Sequence, residues 1–157
     1  MLHREKNQLD FSDRSILKQL QENARKPYRK IAEDLGLSNS FVHQRIRKME
    51  SMGVVQGHAA KINGKALGLS TLAYTGITLK EARFSRSIME ALKELPEVES
   101  GHYISGKYAI LCKIRCRDNE HLHEILYTHI HGIEGVGGTD SFIVFSEGFE
   151  KPVFVGE

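Results

Sequence analysis

The sequence predicts an α+β chain in two parts: an N-terminal helix-turn-helix (winged-helix-like) domain, then a ferredoxin-like βαββαβ domain. Three observations carry that prediction. Residues 28–53 read as a short helix, a tight turn at Gly36 and a second helix that stops at Gly53. From residue 70 onward, alternating β-branched segments are interleaved with two helical stripes. Between them, VVQGHAAKINGKALGLS has no helical stripe. The expected division is therefore 1–53, a strand-bearing linker at 54–69, and 70–157. A length of 157 residues permits one ordinary domain or two small ones, and the change of pattern favours two.

Taken in order, the first helix is expected to start with Ser12 or Asp13 as N-cap. Ile16, Leu17 and Leu20 form its apolar stripe, up to about Ala24. Pro27 marks the entry to the second helix, because proline is tolerated at a helix start. Gly36 supplies the positive φ that ends it. Ser38 suits the N-cap of the third helix, which Gly53 closes in the same manner. Ile31, Ala32, Leu35, Leu37, Val42, Ile46 and Met49 recur at helical spacing and meet in one small core.

Val54 and Val55 open an expected strand that continues through His58–Ile62, and Asn63-Gly64 and Gly68 are turn signals. LAYTGITLK begins the second domain as a strand. Phe84, Ile88, Leu92 and Leu95 stripe a helix that Pro96 closes. Val98–Ile104 alternates as a short strand, and Ser105-Gly106 is a turn. In YAILCKIRC, Tyr108, Ile110, Cys112, Ile114 and Cys116 fall on one face, with Lys113 and Arg115 on the other. Leu122, Ile125, Leu126 and Ile130 stripe the next helix. Val136-Gly137-Gly138 then leads into a last strand over Asp140–Ser146. Such a sheet carries both helices on one face. A second copy of the chain is the simplest cover for the other face.

Composition narrows the function classes. No apolar run approaches the ~20 residues needed to cross a bilayer, so no membrane partner is expected. MLHREKNQLD is charged and unlike a secretion signal, which predicts a cytoplasmic location. Cys112 and Cys116, four apart on a strand, stand ~13 Å from each other, too far for a disulfide. Reduced core thiols are the expected state. There is no P-loop, GxGxxG or GxSxG, and no catalytic residue or cofactor is expected. His121, His123, His129 and His131 lie in or beside one helix, but no two are four apart, so no metal site is expected. At an oligomer contact they would make assembly depend on pH.

The net charge of +2 hides an asymmetry. Residues 1–52 hold eleven Lys/Arg and seven Asp/Glu, whereas the remainder holds eleven and thirteen. The basic excess thus sits on the helix pair, where a polyanion would dock. The second of those helices, 38–52, is expected to enter the major groove of duplex DNA. Gln44 has the amide geometry for paired hydrogen bonds to adenine. Ser40 and His43 suit single contacts, Asn39 a base or a phosphate, and Ser38 a cap more than a base. Arg47 shares the outward face. Arg45 and Lys48 are assigned mainly to phosphates, with Arg29 and Lys30 of the preceding helix. The alternative for Arg45 is a carboxylate inside the headpiece, from Glu33, Asp34 or Asp13. The class-level rivals are a ligand-sensing module and an enzyme whose headpiece binds no DNA. Fold alone leaves both open.

With these residues in place, the chain resembles the Lrp/AsnC (feast/famine) family of prokaryotic transcription regulators over nearly its whole length. The matching positions include Leu9, Asp10, Asp13, Ile16, Leu17, Leu20, Ala24, Arg25, Leu35, Leu37, Ser38, Val42, Arg45, Gly53 and Val55. The resemblance implies a DNA-binding regulator whose βαββαβ domain serves effector binding and oligomerisation. It implies homo-oligomers, dimers built through the C-terminal sheets and often assembled into octamers. It also implies an amino acid or related small-molecule effector bound between dimers, for which His102, Tyr103, Gly106, Lys107, Tyr108 and Thr139 are the candidate residues. One stretch departs from the family pattern. Lys107 and Ala109 stand where members often carry acidic residues, which reverses the loop's charge toward a ligand ammonium group.

Overall fold

The computed structural model describes residues 9–156, so the charged stretch before Leu9 lies outside it. The described chain divides into two compact units, residues 9–61 with 149–156, and residues 62–148.

The first unit is a three-helix headpiece: α1 (Phe11–Glu22), α2 (Tyr28–Leu35) and α3 (Asn39–Ser51). Asp10, rather than Ser12 or Asp13, caps α1. Its carboxylate accepts from the Asp13 amide at 2.9 Å, and Asp13 returns the bond to the Asp10 amide at 3.1 Å. This reciprocal box satisfies two otherwise orphaned donors and places the helix start one residue before Ser12. Pro27 opens α2, and Gly36 ends it at φ 66°. Ser38 accepts from the Phe41 amide and caps α3. Ile16, Leu17, Leu20, Ile31, Ala32, Val42, Ile46 and Met49 form the buried core, with Val54, Val55 and Val155 packed against it.

The strand expected over Val54–Ile62 does not form among the described residues. Val54 and Val55 instead turn their amides back onto the Met49 carbonyl and close α3. The segment 149–156 packs with this unit instead of ending the second one.

The second unit follows the order β1 (Thr71–Leu79), α4 (Ser85–Lys93), β2 (Val98–Tyr103), β3 (Ile110–Cys116), α5 (Asn119–Glu124, continued by a π-helical turn over Ile125–Ile130) and β4 (Val136–Ile143). The antiparallel sheet runs β2-β3-β1-β4. Ala73, Ile77, Ile110, Cys112, Ile114 and Cys116 meet Ile88 and Leu92 of α4 and Leu122, Ile125 and Ile130 of the last helix in one buried core. The π-helical turn lets Ile125 and Ile130 both bury fully, which Leu126 does not.

The last strand begins at Val136, four residues before the expected Asp140, and ends at Ile143. Gly137 and Gly138 sit within the ladder. A Cβ at Gly137 would stand 3.1 Å from Thr78 Oγ1, an approach glycine permits. Tyr108 also departs from expectation. Pairing stops at Ile110, and the Tyr108 ring lies over Gly76 on the face away from the helices; a Cβ at Gly76 would be 2.5 Å from it. That face presents Tyr74 and Phe142, a cross-strand pair, at 39% and 57% exposure.

Candidate nucleic-acid interface and effector loop

Helix α3 is sealed on one side and bare on the other. Val42, Ile46 and Met49 are buried against α1 and α2. At ~100° per residue, the direction opposite them is occupied by Ser40, Gln44 and Arg47. All three are exposed, as are Asn39, His43 and Lys48 on the flanks and Ser38 at the cap. His43 is braced edge-on by Tyr28 of α2, with ring centroids 4.8 Å apart. Ser38 and Ser40 share a hydroxyl contact of 3.2 Å at the helix start. The headpiece thus offers one hydroxyl, one amide and one guanidinium along a single helical stripe, with the Ser38 hydroxyl at its start, backed by a buried core.

Arg45 does not join that surface. Its Nε donates to Asp13 Oδ1 at 2.7 Å, and its Nη2 contacts both Asp13 and Asp10, the latter at 2.5 Å. The assignment of Arg45 to phosphates is therefore corrected: the guanidinium ties α3 to α1. Asp13 is almost wholly buried, and a buried carboxylate needs such a partner. Burial alone would raise its pKa, but the hydrogen bonds from Arg45 and the Asp10 backbone, with the charges of Arg45 and Lys48, hold it below the usual value. Glu33 and Asp34, the other carboxylates open to Arg45, pair along α2 instead. Arg29 reaches Glu33 at 3.4 Å, and Lys30 reaches Asp34 at 3.0 Å. Both cations remain exposed and can exchange these screened partners for phosphates.

The six candidate effector residues do not form one cluster. Gly106 (φ 113°) turns the loop between β2 and β3. Lys107 Nζ and Tyr108 Oη both reach Asp140 Oδ2 of β4 at 2.7 Å. These hydrogen bonds raise the Lys107 pKa and lower that of Asp140. The reversed charge read from Lys107 is thus balanced by a carboxylate 33 residues away, brought there by sheet register. His102 pairs opposite Leu111 on the same face and contacts Ser100 at 3.2 Å. Thr139 and Tyr103 pair opposite Ile77 and Ile110, so they point to the helix side of the sheet. Thr139 bonds there to His131 Nε2 at 2.8 Å. Asp140 is the member that sequence reading missed, and the strand expected from Asp140 onward was its only signal.

Both thiols are buried in the core: burial pushes Cys112 up to about 11 and raises Cys116. Among the described residues, no helix is long and apolar enough to cross a membrane.

Comparison with known proteins agrees with this geometry. Residues 9–50 match the AsnC-type helix-turn-helix domain, and residues 72–154 match the Lrp/AsnC ligand binding domain. The chain is 34% identical over 136 residues to the regulatory protein AsnC of Escherichia coli K12, covering 87% of this chain and 90% of that protein. It is 34% identical over 148 residues to the HTH-type transcriptional regulator FL11 of Pyrococcus furiosus, covering 92% and 97%. The solved structure of E. coli AsnC superposes with a TM-score of 0.88 at 32% identity, over 93% of this chain and 98% of that one. A transcriptional regulator from Neisseria meningitidis, solved as its complex with L-Met, superposes at 0.86 and 25% identity, over 92% and 94%. The two family models together span both units of the fold, and the chain belongs to the Lrp/AsnC family of transcription regulators.

Proposed function

We propose that the chain regulates transcription by binding duplex DNA as a homodimer, with α3 in the major groove. The observation that carries this reading is the exposed stripe Ser40, Gln44 and Arg47 on a helix whose opposite side is fully buried. Gln44 reads a base, and Lys48, Arg29 and Lys30 contact phosphates. Each phosphate contact adds about 0.9 to the salt slope of binding. One headpiece presents few base contacts, so two act together on a roughly palindromic site. The effector is a small zwitterion of the amino-acid kind, bound where Lys107 of the β2–β3 loop meets Asp140 of β4. Its carboxylate faces the lysine and its ammonium group faces the aspartate. The L-Met complex of the Neisseria relative supports that ligand class.

The test is selection of bound duplexes from a random pool, with and without each amino acid, followed by Gln44→Ala on the selected site. A bidentate amide–adenine pair is worth ~1–3 kcal/mol of discrimination. Gln44→Ala is expected to weaken the selected site about tenfold and leave random duplex nearly unchanged. Equal loss on both would remove Gln44 from base reading, and a pool that yields no enriched site would remove the DNA reading itself.

A further inference from the structure

The C-terminal segment lies along α1 in the first unit. The Val153 carbonyl accepts from Gln21 Nε2 at 2.8 Å, and the Val155 carbonyl accepts from the Arg14 guanidinium. Residues 14 and 21 are two helical turns apart on one face of α1. The tail therefore runs antiparallel to α1, with residue 155 beside the start of the helix and residue 153 about two turns further on. Val155 packs against the headpiece core. Leu17, Leu20, Ala24, Val54 and Val55 line a cleft of about 640 Å³ that Val153 and Val155 help to wall. Recognition runs through backbone carbonyls and one inserted valine, which is how an apolar peptide is bound without demand for a particular polar side chain.

The position of this contact gives it a consequence. Arg14, which holds the tail, directly follows Asp13, which holds Arg45 of α3. One side of α1 is gripped by the tail while the next residue grips the helix that faces the groove. The tail also continues from β4 of the second unit, so the chain passes between the two units twice, once near residue 61 and once near residue 148.

We propose that the α1 face of Arg14, Leu17 and Gln21 is a docking surface for the chain's own residues 153–155, and that docking positions α1 and its Arg45 clamp for DNA binding. An undocked tail leaves the clamp loose; a docked tail sets it. The consequence for DNA rests on the function proposed above, whereas the docking does not.

The test uses the full chain and two readouts, amide hydrogen exchange in the headpiece and binding to the selected duplex. Val155→Asp puts a charge into the core contact. It is expected to speed exchange in residues 17–24 and 54–59 about tenfold, the equivalent of one buried valine, and to weaken duplex binding by a similar factor. Phe149→Asp adds the same charge at a tail position that is 86% exposed and outside the cleft, and is expected to change neither. Equal exchange in the two variants overturns the docking. Faster exchange with unchanged duplex affinity overturns the positioning role. If the unaltered chain binds no duplex, the DNA reading fails while the exchange data still judge the docking. A second arm removes residues 149–157 and returns them as a synthetic peptide. Lost and then restored protection of α1 is expected, and protection indifferent to both steps overturns the proposal even if Val155→Asp does not fold.

Discussion

Asp13 is the residue whose chemistry most constrains the headpiece. It serves the capping box of α1 and, with the same carboxylate, neutralises Arg45 of α3. Removing one member of a buried ion pair leaves the other uncompensated, which costs more than the pair itself contributes. Asp13→Asn is therefore expected to destabilise the headpiece by about 3 kcal/mol, read as a lower urea midpoint in the full chain. The pH dependence follows from the lowered folded pKa. The stabilisation is fully present above the ordinary aspartate value of about 3.9. It is lost as the pH falls below that value and through the depressed folded one. Asp13→Asn should flatten this acid limb; an acid limb that keeps its steepness would show that another carboxylate governs it. Sequence alone allowed Asp13, Glu33 or Asp34 as the partner of Arg45. The crossing of α1 over α3 selects Asp13, and crossing geometry is a tertiary fact that no local spacing carries.

At the scale of elements, what could be read from sequence followed the range of the interactions involved. The end of α2 at Gly36 and the start of α3 at Ser38 are set by groups within four residues, and both emerge as expected. The alternation of Ile110, Cys112, Ile114 and Cys116 likewise appears intact as a buried face of β3. Tyr108 extended that alternation in sequence, yet it crosses to the other face because the hairpin loop ends pairing before Ile110 and Gly76 leaves room for its ring. Asp140 joined Lys107 for the same kind of reason, since register between β1 and β4 places it opposite Gly76. The Gly76–Tyr108 fit is open to a direct check. Gly76→Ala forces the ring away from Asp140 and should cost about 1–3 kcal/mol, as overpacking does. In a Tyr108→Ala background the same change should cost much less. Equal costs in both backgrounds, measured by chemical unfolding, would show that the ring is not what fills the space above Gly76.

At the scale of the whole molecule, the decisive feature is a sheet with helices on one side only. Its other face displays Tyr74 and Phe142 beside the neutralised Lys107–Asp140 pair, an arrangement suited to a second copy of the same face. A two-fold contact repeats every change on both partners. Phe142→Asp therefore removes two aromatic rings and adds two like charges, with Lys107 already committed to Asp140. Like-charge juxtaposition in an interface costs several kcal/mol, so the dimer dissociation constant should rise at least about 100-fold. Sedimentation equilibrium at micromolar concentration should then find monomer for the variant and dimer for the unaltered chain, as the proposed homodimer requires. Binding to a palindromic duplex should weaken in parallel, because two half-sites would no longer be engaged by one tethered pair of headpieces. Binding of a single headpiece to a half-site should persist, since α3 and its core lie in the other unit. An unchanged sedimentation profile would move the subunit contact off this face and assign the exposed rings to another partner.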